Sequence, residues 1–218
     1  MSEHMALENL TVLDLTRVLA GPFCTMMLAD MGANVIKIEV PKGGDDTRGY
    51  PPFRAKNLNG ERESVYFANI NRNKKGITLN LKAPEGKEIF KELVKKADIV
   101  VENYRPGVMD KLGLGYDVLK EINPRIIYAA VSGFGCYGPY HLRPGYDILA
   151  QAMGGMMSIT GSKGGEPTRA GSALGDILGG LHVTIGILAA VNARTITGKG
   201  QRVDVSPVSY THLRAHET

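Results

Sequence analysis

Along the chain the apolar positions switch repeatedly between the period of a strand and the period of a helix. "LTVLDL" (10–15) is a short apolar run, "GPFCTMMLADMG" (21–32) opens with a proline and closes on a glycine, and "NVIKIE" (34–39) is a second apolar run. Proline is tolerated in a first helical turn and glycine commonly follows a last one, so these stretches predict a strand, a helix and a strand. "SVYFANI" (64–70) and "ITLNL" (77–81) read as strands on either side of the turn "NRNKKG". "PEGKEIFKELVKKA" (84–97) then places Ile89, Phe90, Leu93 and Val94 at helical spacing, and "DIVVEN" (98–103) is a buried strand. Two short helical pieces lead to "RIIYAAVSGFG" (125–135), a strand running into a glycine-rich loop. A helix over 145–158, a loop rich in Gly, Lys and Pro, a long apolar helix from Asp176, and a turn and strand in "GKGQRVDVS" complete the series. Strands alternating with helices predict an α/β fold: a Rossmann-like, mostly parallel sheet with helices on both faces.

In such sheets ligands gather at the carboxyl ends of the strands. That draws attention to "TRVLAG", to the segment after Glu39, and to "ENYRPGVMDKLG" (102–113), where Asn103 and Tyr104 directly follow a strand and Lys111 comes a few residues on. Glu39 stands where a nicotinamide dinucleotide site would carry an acid for the ribose hydroxyls. The turn before it has one glycine where G-x-G-x-x-G needs three, so a conventional site of that kind is excluded. "NRNKKG" (71–76) clusters Arg72, Lys74 and Lys75 with two asparagines, either to hold phosphate or as a solvated hairpin turn.

Composition narrows the classes of partner. The 218 residues are 43% hydrophobic and 22% charged, with a formal net charge of +4. The basic residues are scattered and form no block long enough for a nucleic-acid arm, so a small anionic ligand is the better expectation. Two cysteines, Cys24 and Cys136, lie far apart with no metal-ligand spacing, which predicts neither a disulfide framework nor a metal site. The first residues carry an early acid and no apolar core of a signal peptide, so a cytoplasmic protein is expected. The apolar run from Ile177 to Ala193 is shorter than the roughly 20 residues of a spanning helix and carries His182, Thr184 and Asn192, so it is read as a core helix with no membrane role.

One acid stands apart. In "GSALGDILGG" (171–180) Asp176 lies among glycines and small residues at the head of the long helix. Aspartate is a preferred N-cap. A carboxylate at a helix N-terminus can equally serve as a covalent nucleophile, with backbone N–H groups beside it and glycines that let a bulky substrate approach. His182, within the apolar helix, is read as a packed residue.

Taken in order, "VLDLTRVLAGPFCTMMLADMGANVIKIE", "GGDDTRG", "NRNKKGITLNLK", "KKADIVVENYRPGVMDKLGLGY", "NPRIIYAAVSGFG", "RPGYDILAQAMGGMMSITG", "GSALGDILGG" and "TGKGQRVDVS" resemble the class III CoA-transferases, the CaiB/BaiF family, over about residues 8–206. The pattern is closest to the succinyl-CoA:dicarboxylate branch. The resemblance implies that Asp176 is the catalytic nucleophile and that a CoA thioester is the substrate, with no permanently bound cofactor and no metal. It implies that Asp176 attacks the donor thioester to form a mixed anhydride, that CoA thiolate converts this to an aspartyl-CoA thioester, and that an acceptor carboxylate then takes CoA by the reverse steps. It further implies that Asn103, Tyr104, Lys111 and Leu112 bind CoA, with Asn71, Arg72 and Lys74 and the segment Arg17, Val18 and Leu19 nearby.

Leu19 stands where formyl-CoA transferases carry a glutamine, and Val40 where they carry an arginine, which counts against formyl-CoA:oxalate exchange. Tyr146 stands where alpha-methylacyl-CoA racemases carry a histidine, which counts against the two-base racemase alternative. Family members are about twice this length, interlock as homodimers and add a smaller second domain. The residues up to 206 therefore correspond to the large domain alone, the tail from Pro207 to 218 resembles nothing in the family, and an inactive acyl-CoA-binding fragment is a further alternative.

Overall fold

A computed structural model of the chain describes residues 4–54, 60 and 62–210. In chain order its elements are β1 (Thr11–Asp14), α1 (Ala20–Asp30), β2 (Asn34–Glu39), β3 (Phe53–Arg54), β4 (Glu63–Ser64), α2 (Val65–Ile70), β5 (Lys75–Thr78) and α3 (Pro84–Val94). There follow β6 (Ile99–Glu102), α4 (Val108–Leu112), α5 (Tyr116–Ile122), β7 (Ile127–Val131), α6 (Asp147–Met153), α7 (Leu174–Thr197), β8 (Arg202–Val205) and α8 (Pro207–Tyr210). Six strands form one sheet in the order β5-β2-β1-β6-β7-β8, with every neighbouring pair parallel.

The expected α/β architecture is therefore present, and its two faces follow from side-chain alternation along the strands. Val12, Ile99, Val101, Ile127, Ala129 and Val131 point to one face, where Cys24 and Leu28 of α1 and Val183, Ile187 and Ala190 of α7 cover them. Leu13, Val100, Tyr128 and Ala130 point to the other, under Phe90 and Val94 of α3, Met109 of α4 and Leu119 of α5. The central strands β6 and β7 are buried along their whole length, as a parallel sheet clothed on both sides requires.

Two elements differ from the sequence expectation. "SVYFANI" turns into a helix because the Ser64 side chain accepts the Phe67 N–H and caps α2, leaving only the two-residue strand β4 ahead of it. β5 pairs parallel to β2, so "NRNKKG" joins a helix to a parallel strand and is not a hairpin turn. On α3 the inward residues are Gly86, Phe90 and Val94, while Ile89 is exposed. Of the tail, Pro207–Tyr210 form the short α8, with Pro207 Cγ 2.9 Å from where a Cβ on Gly179 would lie; residues 211–218 lie outside the described residues.

Helix α7 is long and apolar enough to cross a membrane by length and composition. One side of it closes the core described above, and Leu181, Ile185 and Ile196 lie exposed elsewhere on it. It packs closely on α1, where a Cβ on Gly180 would stand 2.7 Å from the Ala20 carbonyl oxygen. Gly180→Ala must therefore push the two helices apart. The expected result in urea unfolding is a loss of about 1–3 kcal/mol, with the slope of the transition unchanged.

Candidate active site at the strand switch point

The chain leaves β1 toward β2 and β5 on one side, then returns to build β6, β7 and β8 on the other. The order of strands thus reverses between β1 and β6, and the loops that leave these two strands lie side by side at the carboxyl end of the sheet, where ligands gather in such folds. The loop after β1 carries residues 15–19, and Asn103 follows β6. Asn103 Oδ1 accepts the Arg17 N–H at 2.9 Å while its Nδ2 donates to the Arg17 carbonyl at 2.7 Å. One side-chain amide therefore serves the Arg17 backbone as a neighbouring strand would.

The next residue, Val18, has φ +68°, a region that a β-branched side chain rarely occupies. Its N–H is held by Asp45 Oδ1 at 3.2 Å, and Asp45 is anchored by the buried Lys37 amine at 2.9 Å and by Thr47. Burial acts to raise the Asp45 pKa, but Lys37 and the Thr47 hydrogen bonds hold it below the usual carboxylate range. Such strain persists only where surrounding contacts over-determine the backbone, and here both flanks of the loop are tied.

This loop forms one wall of a cleft of about 470 Å³. Asn103 and Tyr104 continue that wall, while Ser132, Arg143 and Tyr146 from the loop after β7 form another. The two arms of that second loop touch at Gly133 and Gly145, where a Cβ on either would sit 2.3 Å from the other's Cα. Arg17, Arg105 and Arg143 also line the cleft; the Arg17 guanidinium pairs with Asp46 at 3.3 Å and that of Arg143 lies 4.1 Å from the centre of the Tyr140 ring.

Asp176 reaches the same cleft from the first turn of α7. It is not the helix cap. The N-cap position is Ala173, and Asp147 of α6 accepts the Gly175 N–H at 2.8 Å with one oxygen while Gln151 donates to the other at 2.8 Å. With capping supplied from 28 residues away, the Asp176 carboxylate makes no hydrogen bond among the described residues. Burial, and then the negative charge of Asp147, push its pKa up to about 6. Tyr66 of α2 senses the same charge: burial first, then Asp176, push its hydroxyl up to about 12. The result is a half-buried acid that is ionised at neutral pH and more basic than an ordinary aspartate.

Of the residues singled out in the sequence, the cleft gathers Arg17, Val18, Leu19, Asn103, Tyr104 and Asp176. The others lie elsewhere. Lys74 is buried against Asp14 at 3.0 Å, Asn71 accepts from Lys74 at 2.9 Å, and Arg72 forms an ion pair with Asp30 on α1. Leu112 packs against the core under α3 and α5, and Lys111 is exposed at the end of α4. Cys24 is buried with its thiol pushed up to about 12 by desolvation, and both cysteines are free. Among the described residues no group of His, Cys, Asp or Glu is arranged to hold a metal ion. Arg105 and Arg143 of the lining were not apparent as site residues, their only sequence signal being the carboxyl-end rule for the loops after β6 and β7; Asp147, which acts on Asp176 from α6, had no such signal.

Comparison with known proteins agrees with this fold. The family model described as CoA-transferase family III matches residues 7–213. An acetyl-CoA:oxalate CoA-transferase of Acetobacter aceti is 50% identical over 200 residues, which is 91% of this chain and 50% of that protein. A succinyl-CoA:mesaconate CoA-transferase of Haloarcula marismortui is 48% identical over 207 residues, 92% of this chain and 51% of its own length. The crystal structure of a CAIB/BAIF family protein from Brucella suis superposes with a TM-score of 0.92 at 44% identity, covering 96% of this chain and 55% of that one. The chain spans about half the length of the curated relatives it matches. The family match extends over nearly the whole chain, which therefore belongs to CoA-transferase family III.

Proposed function

We propose that the protein carrying this chain transfers CoA from an acyl-CoA to a carboxylic acid, with Asp176 as the nucleophile. The observation that carries this reading is the state of Asp176: a carboxylate in the cleft with no hydrogen bond among the described residues, held by burial and Asp147 at a pKa of about 6. An Asp176 oxygen attacks the thioester carbonyl carbon and the C–S bond breaks, giving a mixed anhydride and CoA thiolate. The thiolate attacks the aspartyl carbonyl, forming the aspartyl-CoA thioester and releasing the donor acid as its carboxylate. The acceptor carboxylate attacks that thioester and expels thiolate, and the thiolate then attacks the acceptor acyl carbon. New acyl-CoA leaves and Asp176 is restored. Each step exchanges one acyl bond for another, so water must be kept from the anhydride.

Arg105 and Arg143 are the cations of the lining proposed to meet the phosphates of CoA, Arg17 being paired with Asp46, and the Asn103–Tyr104 corner is proposed to meet the part of the ligand nearer the sheet. Relatives named for succinyl-CoA, acetyl-CoA and formyl-CoA donors are all 47–50% identical to this chain, and succinyl-CoA is the proposed donor on the likeness of the motifs to the succinyl-CoA:dicarboxylate branch. A cytoplasmic setting and an interlocked homodimer belong to the same proposal.

The test is mass spectrometry of the protein after incubation with succinyl-CoA and a panel of carboxylic acids, with hydroxylamine trapping of any acyl adduct. The expected result is an adduct on Asp176 that is lost in Asp176→Ala. Exchange of the substrate's alpha proton without an adduct would replace this reading with the racemase. Thioester binding with neither reaction would leave an acyl-CoA-binding fragment.

A further inference from the structure

Glu102 ends β6 one residue before Asn103, and the transfer steps above make no use of it. Its carboxyl group is buried between two hydrogen bonds: Oε2 accepts the Tyr104 N–H at 2.7 Å and Oε1 accepts the Tyr128 hydroxyl at 3.2 Å. Tyr128 stands on β7, its ring tilted against Tyr116 of α5 at 6.0 Å, so it is fixed by the sheet and by the layer above it. Beyond Glu102 the chain turns sharply, and Asn103 holds the Arg17 backbone from both sides. A chain of contacts therefore runs from β7 through Glu102 to the corner at 103–104 and on to the strained loop at 17–19.

We propose that Glu102 is a positioning residue that fixes the Asn103–Tyr104 corner, and through Asn103 the loop at 17–19, in the shape that receives the CoA thioester. This rests on the CoA reading of the cleft. A carboxyl group inside an apolar core needs a reason, because burying it costs free energy unless its hydrogen bonds are met. Here both oxygens are engaged and one holds main chain at a site wall. Burial pushes the Glu102 pKa up to about 7, against the Tyr104 and Tyr128 hydrogen bonds, with Arg202 of β8 and Asp110 of α4 the other charges facing it. The acid form keeps the same geometry, since its carbonyl oxygen accepts from Tyr104 and its O–H donates to the Tyr128 oxygen. What the corner requires is an acceptor at this place, and the charge is dispensable.

That distinction sets the experiment. Glutamine supplies the acceptor to Tyr104 and a donor to the Tyr128 oxygen; leucine fills the space and supplies neither. Steady-state kinetics with succinyl-CoA and amide hydrogen exchange at Tyr104 and Arg17 are compared in the two variants. Glu102→Leu is expected to raise KM for the thioester about tenfold with kcat within about twofold, and to speed exchange at Tyr104. Glu102→Gln is expected to match the parent in both. If Glu102→Leu does not fold, Glu102→Asp carries the test, since a side chain one methylene shorter cannot span both partners and the same rise in KM is expected. An unchanged KM in Leu or Asp, or Gln behaving as Leu does, overturns the assignment and leaves the CoA reading standing. A parent protein that binds no CoA thioester by calorimetric titration overturns both.

Discussion

Replacing Asp176 with asparagine is expected to abolish CoA transfer and, at neutral pH, to make the folded protein more stable. The two effects have one cause. The carboxylate is the proposed nucleophile, and an amide of the same shape cannot form the anhydride, so kcat should fall by about 10⁴-fold or more. The stability effect follows from linkage. The pKa of Asp176 rises from 3.8 to about 6 on folding, so between those values the folded chain binds more protons than the unfolded one, and stability falls as pH rises through that window. Above pH 6 the full cost of holding an ionised, half-buried carboxylate beside Asp147 is present, on the order of 1–3 kcal/mol for a shift of about two units. Asparagine carries no such cost.

Urea unfolding of the two forms at pH 4 and pH 7 should show them nearly equal at the lower value and the variant ahead at the higher. Equal stability at both would mean that the carboxylate is not desolvated in the folded chain and is no more basic than an ordinary aspartate. In the parent, adduct formation should rise with pH through about 6 and level off above it, because the ionised form attacks.

The sequence was most legible where a single local rule decides the outcome. The strand Asn34–Glu39 and the helix beginning at Pro84 came out at their observed starts, because apolar runs and a first-turn proline need no distant partner. "SVYFANI" failed for a local reason of another kind: its β-branched and aromatic residues suggest a strand, and one serine cap tips it to a helix. In the site, Arg17 and Asn103 were legible because strand carboxyl ends attract ligands in any parallel sheet. Their mutual hydrogen bonds were not, since they span 86 residues. The capping alternative for Asp176 was a sound inference from one residue type, defeated by a second aspartate packed in from α6. "NRNKKG" shows the limit most plainly, because a run of cations states how much charge a loop carries and nothing about which acid in the fold will claim it.

Lys74 puts that limit to a test with a large expected effect. Its ammonium group has three protons, and three acceptors take them: Asp14 Oδ2 at 3.0 Å, the Pro22 carbonyl at 3.0 Å and Asn71 Oδ1 at 2.9 Å. No donor is left for a phosphate. Asp14 is wholly buried and also accepts from the Thr16 N–H and from the hydroxyls of Thr16 and Thr25, so the pair locks the end of β1 to the start of α1 below the cleft. Burial acts to raise the Asp14 pKa; Lys74, then Lys37, outweigh it and hold the group below its ordinary value of 3.8.

Lys74→Met removes one partner of a buried ion pair and strands the other, which is expected to cost about 3–5 kcal/mol at pH 7. With Lys74 present, the stabilisation from the depressed Asp14 pKa is complete above 3.8 and is lost as pH falls through the folded value. Without it the folded pKa rises, so the deficit of the variant should shrink toward acid pH, where Asp14 is protonated in both forms. Adding Asp14→Asn should recover a large part of the loss, giving a coupling energy that a phosphate ligand with no role in folding would not show. An unshifted unfolding midpoint together with weaker binding of the CoA thioester would instead mean that Lys74 leaves Asp14 to meet the ligand, and that the loop from 71 to 76 belongs to the cleft after all.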